Sequence, residues 1–205
     1  MRVVLKAGTG AVKEIDAVRD AVVAFEGELL VVPGGWRFAN LVREIYGDED
    51  LSDDAAHWMA IAAMDQTGYL LSDLLDLPTT EEPEFGDKLV LLPYRYLRMK
   101  DPLPHSWEVT SDAISVYVAA EADANLVVFA KDVPGILEDP KCPGSLIHKI
   151  DARELKGNWT ALDPVAPRLA EEYDLELRVV HAGNPDNLLR AMRGDEFVGT
   201  RIVPG

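Results

Sequence analysis

Two glycine-bearing turns, the first with charged and polar neighbours, are where this sequence could do chemistry. Lys6-Ala7-Gly8-Thr9-Gly10 puts a cation beside backbone N–H groups, and Pro33-Gly34-Gly35 offers a second, uncharged cradle one unit later. Each follows a short apolar run and precedes a stretch with helical spacing. In open parallel sheets ligands bind beyond the carboxyl ends of strands, and phosphates settle on the N-termini of the helices that follow. Glycine lets the backbone come close to such an anion, so the chemistry these turns suit is phosphate binding. Neither turn is a Walker P-loop or a Rossmann fingerprint. Taken singly, each reads first as a plain strand-to-helix turn.

Further along, Thr110-Ser111-Asp112 opens a helix, and Asp132-Val133-Pro134-Gly135 turns away from a buried strand. His57 sits among Trp58, Met59 and Ile61 on a long helix and reads either as a phosphate ligand or as a structural histidine, with Asp53 one turn earlier to orient it. The segment Asp101-Pro102-Leu103-Pro104-His105-Ser106-Trp107 is too rich in proline for helix or central strand. It is either a rigid substrate wall or a connector. Asp101 or Asp112 is available for an ammonium group, should a ligand carry one. Glu81-Glu82-Pro83-Glu84 reads as a solvated loop, since its acids lack a spacing that converges on an ion. No metal site is assigned to protein side chains, and Met59 and Met64 are read as core.

The elements that must position these residues alternate between strand-like and helix-like, the α/β signature. Strands are expected at 2–6, 29–32, 88–92, 126–130, 176–181 and 200–202. Helices are expected at 14–25, 38–46, 52–75, 110–120 and 166–172, with a further one capped by Asn184 and opened by Pro185. Residues 138–160 give no clear pattern. The expectation is a three-layer αβα sandwich with a mainly parallel central sheet, one domain over 1–205. A chain of 205 residues that is 48% hydrophobic can bury one substantial core. Its apolar runs are too short to cross a bilayer, and a cytoplasmic protein is expected. The lone cysteine, Cys142, rules out an intrachain disulfide or a multi-cysteine metal site. A net charge of -16, from 36 acidic and 20 basic residues, argues against nucleic acid or an anionic membrane as partner.

Taken in order, the turns resemble those of the amino acid kinase superfamily, which includes acetylglutamate, uridylate, aspartate and isopentenyl phosphate kinases. That family opens with a lysine, any residue, then Gly-Gly-Ser; here Lys6 and Gly8 match and the remainder differs. Residues 32–35 resemble its second glycine turn. Val109-Thr110-Ser111-Asp112-Ala113, followed by Ala122-Asp123, resembles its third mark, and Asp132-Val133-Pro134-Gly135-Ile136 its fourth, with Gly199-Thr200 closing the series. His57-Trp58-Met59-Ala60, Met64-Asp65-Gln66, the 101–107 segment and Asp163-Pro164 look closest to the subgroup that phosphorylates an aminomethylfuran methyl phosphate to its diphosphate in methanofuran biosynthesis.

The resemblance implies an ATP-dependent kinase acting on a small anionic metabolite, with Mg²⁺ arriving on the nucleotide and a homo-oligomer as the assembly. It implies that Lys6 bridges the transferring group and Asp112 orients the catalytic lysine. Gly8, Thr9, Gly10, Lys131, Asp132 and Gly135 would bind nucleotide, and Gly34, Gly35, His57, Asp101 and Ser111 the acceptor. Larger members carry a second catalytic lysine in a Gly-Gly-Met-x-x-Lys helix that has no match here. Lys131 or Lys149 could stand in, Lys131 being better placed at the end of the 126–130 strand. An isopentenyl phosphate or related small-metabolite kinase, or a nucleotide sensor without turnover, would fit the same marks.

Overall fold

A computed structural model describes residues 1–139, 141–142, 144–155 and 161–205. Its strands are β1 (Arg2–Ala7), β2 (Glu28–Pro33), β3 (Thr79–Thr80), β4 (Lys88–Leu91), β5 (Leu126–Lys131), β6 (Lys149–Asp151), β7 (Glu176–His181) and β8 (Thr200–Val203). Its helices are α1 (Thr9–Lys13), α2 (Ile15–Ala24), α3 (Trp36–Asp48), α4 (Asp53–Leu75), α5 (Tyr94–Lys100), α6 (Ser111–Glu121), α7 (Ala166–Glu172) and α8 (Pro185–Arg193). The strands form one sheet in the order β3-β4-β2-β1-β5-β7-β8-β6. Every neighbouring pair is parallel except β7 with β8.

Alternation along the strands splits the core into two layers. Val4, Leu30, Val32, Val127 and Phe129 join the cluster built with α5, α6 and α7, whereas Val3, Leu5, Leu29, Val31, Val128 and Ala130 join the one built with α2 and α8. Both faces of these strands are buried, which is why they read as unbroken apolar runs. Helix α4 serves both layers, giving Ile61 and Met64 to the first and Leu71 and Leu75 to the second. The three-layer α/β sandwich expected from the pattern is the observed fold. No described helix is long and apolar enough to cross a membrane.

Several boundaries differ from expectation. The first helix begins at Thr9, not near residue 14, and breaks at Glu14 before α2. Gly10 hides this start, because glycine disfavours a helix interior. Its bare Cα is nonetheless required: a Cβ there would lie 2.4 Å from the Lys131 carbonyl carbon and 2.5 Å from the Asp132 nitrogen. Helix α1 therefore rests directly on the backbone where β5 ends. Strands β3 and β6 are two and three residues long, too short for periodicity to register.

One buried carboxylate ties two helix starts together. Asp163 Oδ2 accepts from the Thr110 N–H (3.0 Å), the Thr110 hydroxyl (2.7 Å) and the Ala113 N–H (2.9 Å). Its Oδ1 accepts from the N–H groups of Val165 (3.0 Å) and Ala166 (2.8 Å). Donors at helix N-termini have no intrahelical acceptor, so a single side chain satisfies the open ends of both α6 and α7. Each such cap contributes about 0.5–2 kcal/mol. Asp163→Ala is therefore expected to lower unfolding free energy by about 1–4 kcal/mol in urea titration, and a variant as stable as wild type would show that the clamp is dispensable.

Candidate active site

Strand register brings the two lysines together. Lys6 shares the parity of Val4, pairs with Phe129 on β5, and so points to the α6 side of the sheet. Lys131 lies two residues beyond Phe129 and points the same way. Helix α6 starts over this spot, its N-cap Thr110 hydroxyl accepting from the Asp112 N–H at 3.2 Å. Asp112 thereby sits between the two ammonium groups. Its Oδ1 lies 3.0 Å from Lys6 Nζ, and Lys131 Nζ donates to Oδ1 at 2.9 Å and Oδ2 at 2.7 Å. Lys6 and Asp112 are 7% and 5% exposed. Burial by itself pushes the Asp112 carboxyl up, but Lys6 and Lys131 outweigh it and hold the group ionised, below its ordinary range. Burial and the nearby Lys6 charge lower the Lys131 ammonium to about 8, with Asp112 opposing them. Two cations thus share one anion, and the cluster carries a surplus positive charge that a phosphate would neutralise.

Two cavities meet at this cluster. One, of about 220 Å³, is lined by Lys6, Gly8, Thr9, Gly10, Lys131, Asp132 and Ala161. The other, of about 180 Å³, lies between α3, α4 and the start of α6 and also touches Lys6, Gly8 and Thr9. Gly8 stands on the boundary, where a Cβ would come within 2.7 Å of Lys6 Nζ. Gly34 closes in from β2: its N–H donates to the Ala7 carbonyl at 2.8 Å, and a Cβ on it would lie 2.9 Å from Gly8 Cα. Only glycine lets the ends of β1 and β2 approach this closely.

Most of the residues singled out in the sequence line one of these cavities. Gly8, Thr9, Gly10, Lys131 and Asp132 surround the first, where Asp132 is held by Lys13 at 3.0 Å, and Gly34, Gly35, His57 and Ser111 border the second. Gly135 lines neither; it packs against Thr200, whose hydroxyl accepts the Ile136 N–H at 2.8 Å. Lys149 belongs to β6 at the far edge of the sheet, so of the two candidate second lysines only Lys131 reaches the cluster.

Asp101 and Asp112, the carboxylates offered for an ammonium group, are both engaged elsewhere. Asp112 is saturated by two lysines, and Asp101 accepts from His105 Nε2 at 2.9 Å. The other nitrogen of His105 faces Asp54 at 2.6 Å. Hydrogen bonds to Asp54 and then Asp101 raise the pKa of His105, favouring the imidazolium that can donate to both. This latch fastens the proline-rich loop to the start of α4. Asp53 does not orient His57 as the spacing suggested; it accepts from the Tyr46 hydroxyl at 2.6 Å. His57 instead stacks on His105, with ring centroids 4.1 Å apart. Burial, and then the His105 charge, push His57 down to about 4, so at neutral pH it offers a hydrogen bond and no charge. His57, Asp101 and His105 bring potential metal ligands within 4.8 Å of one another. Both His105 nitrogens face carboxylates, Nδ1 toward Asp54 and Nε2 toward Asp101.

The second cavity also has walls that sequence reading passed over. Trp36, Ala39, Asn40 and Arg43 follow one face of α3, and Trp107 comes from the proline-rich loop. Trp36 has φ 44°, a left-handed conformation uncommon for a residue with a Cβ and costing about 1–2 kcal/mol. The i, i+3, i+4, i+7 spacing of the α3 set was the available signal.

Buried lysines around one carboxylate, with cavities on either side, form the candidate active site of this α/β sandwich. The Amino acid kinase family model matches residues 91–181. The chain is 32% identical to the [5-(aminomethyl)furan-3-yl]methyl phosphate kinase of Methanocaldococcus jannaschii, over 86% of this chain and 84% of that protein. A uridylate kinase of Methanococcus maripaludis is 32% identical over 46% of this chain and 47% of its own. In fold, the chain resembles uridylate kinase from Archaeoglobus fulgidus, with a TM-score of 0.73 at 20% identity covering 99% of this chain and 100% of that one. The protein belongs to the amino acid kinase family and is a phosphotransferase.

Removing one member of a buried charge cluster leaves the others uncompensated, a loss of about 3–5 kcal/mol. Asp112→Asn should lower stability by that amount in chemical denaturation, and adding Lys131→Met should recover part of it. An unchanged denaturation midpoint in Asp112→Asn would contradict the ionised arrangement.

Proposed function

We propose that this protein transfers the γ-phosphoryl group of ATP to the phosphate of a small monoester, [5-(aminomethyl)furan-3-yl]methyl phosphate, giving the diphosphate and ADP. The observation that carries the reading is that the two cavities share Lys6, Gly8 and Thr9. The cavity bounded by α1 and the end of β5 takes the nucleotide phosphates, and the α3–α4 cavity takes the acceptor. Similarity to the Methanocaldococcus jannaschii kinase over most of both chains supports the choice of acceptor.

Phosphoryl transfer requires mainly position and charge. An oxygen of the acceptor phosphate bonds to the γ-phosphorus as the bond from that phosphorus to the departing ADP oxygen breaks. Lys6, at the junction, contacts the group in transit, and Lys131 draws charge from the nucleotide side. Asp112 touches neither substrate; it holds both ammonium groups at the positions where negative charge develops, so little reorganisation is needed as the reaction proceeds. The acceptor oxygen is already anionic, which removes the need for a general base. Mg²⁺ brought in on the nucleotide would supply neutralisation of phosphate charge, and Asp132, the one carboxylate among the residues described around that cavity, is the side chain that would face it.

Lys6→Ala should lower kcat by about 10²–10³-fold, measured as ADP release from Mg·ATP with the acceptor, while the circular dichroism spectrum stays native. Wild-type turnover would remove Lys6 from the mechanism. The Lys131 ammonium of the free enzyme deprotonates as pH rises through about 8. The value of kcat/KM should therefore fall above that pH, and the limb should move higher in Lys131→Arg, since arginine keeps its charge. A profile flat to pH 9.5 would contradict a role for the Lys131 charge.

A further inference from the structure

Among the described carboxylates around the acceptor cavity, three are occupied. Asp54 and Asp101 are taken by His105, and Asp112 by the two lysines. Asp53 differs. Among the described residues it is the only carboxylate lining the cavity and makes no ion pair, and its Oδ1 is fixed by the Tyr46 hydroxyl at 2.6 Å. Tyr46 is itself packed edge-on against Trp107, ring centroids 5.5 Å apart. Arg43, a cation that also lines this cavity, lies over the Trp107 ring at 4.7 Å. A carboxylate held in place and left without a cation is suited to bind one from a ligand.

Position along the helices gives the spacing. Helix α3 lines the cavity from Trp36, next to the Gly34-Gly35 turn, to Arg43, a rise of about 10 Å at 1.5 Å per residue. Helix α4 runs along it from Met64 in the core to Asp53 at its first residue. The floor of the cavity is cationic, with Lys6; its middle is apolar, with Ala39, Ile61 and Ile114; and Asp53 stands at the helix start. We infer that Asp53 is an ammonium-binding specificity residue, selecting acceptors that carry a phosphate at one end and a protonated amine at the other, joined by a small flat apolar spacer. Tyr46 is its positioning residue. The inference rests on the proposed acceptor cavity and adds the group that distinguishes an aminomethyl acceptor from a plain monoester.

The test compares two acceptors, [5-(aminomethyl)furan-3-yl]methyl phosphate and the analogue with methyl in place of aminomethyl, on wild type, Asp53→Asn and Tyr46→Phe. Wild type should prefer the amine by roughly 10- to 100-fold in kcat/KM, the worth of a hydrogen bond to a charged group. Asp53→Asn should erase that preference through KM with kcat nearly unchanged, and should use the methyl analogue as wild type does. Tyr46→Phe should lose part of the preference. Full discrimination retained by Asp53→Asn would overturn the role of Asp53 alone. Failure of wild type to phosphorylate either compound would overturn the acceptor assignment, and the ammonium site with it.

Discussion

A carboxylate enclosed by two lysines at the ends of adjacent strands is the constraint on which the rest of the site depends. Three charges cannot be taken out of water unless their geometry is held closely, because desolvation rivals the attraction between them. Strand pairing sets the lysine positions: Lys6 and Lys131 project from β1 and β5 on one face, fixed by the Lys6–Phe129 register. The start of α6 sets the carboxylate, and Asp163 fixes that start by tying it to α7. Fold stability and the proposed phosphate binding therefore draw on the same contacts. A phosphate entering the cluster would supply the negative charge that Asp112 alone does not balance.

In the proposed mechanism the two cavities divide the work along the sheet. On the β5 side, α1 lies so close to the chain that Gly10 cannot be replaced without displacing Lys131 or Asp132. On the β2 side, α3 and α4 lead away from the glycine turns and enclose a more apolar chamber. The His105 latch holds the proline-rich loop against α4 and so keeps Ser106 and Trp107 over that chamber. Under the proposed mechanism, nucleotide binding would draw largely on backbone and lysine, and acceptor choice on side chains of α3, α4 and one loop. Change in those side chains alone could alter the acceptor without disturbing the lysine cluster.

Much of this was legible in the sequence where burial is two-sided or a cap is polar. Strands β2 and β5 read as apolar runs because both faces are covered, and Ser52 and Asn184 marked the starts of α4 and α8 at which their side chains accept from Ala55 and Asn187 N–H groups. Lys6, Asp112 and Lys131 were singled out, but their meeting depends on pairing between strands more than 120 residues apart, which local pattern does not report. The start of α1 was missed because Gly10 serves a packing need that opposes helix propensity. The carboxylates near the second cavity were misread for a similar reason. Among Asp53, Asp54 and Asp101, spacing along the chain cannot say which faces His105 and which faces Tyr46, since that depends on how a loop crosses a helix end.

The most direct measurement is ³¹P NMR of the protein turning over Mg·ATP with [5-(aminomethyl)furan-3-yl]methyl phosphate. Transfer across the lysine cluster predicts loss of the acceptor monoester signal, growth of a pair of coupled diphosphate signals, and one ADP formed for each acceptor consumed. Release of inorganic phosphate with the monoester signal unchanged would contradict phosphoryl transfer between the two cavities.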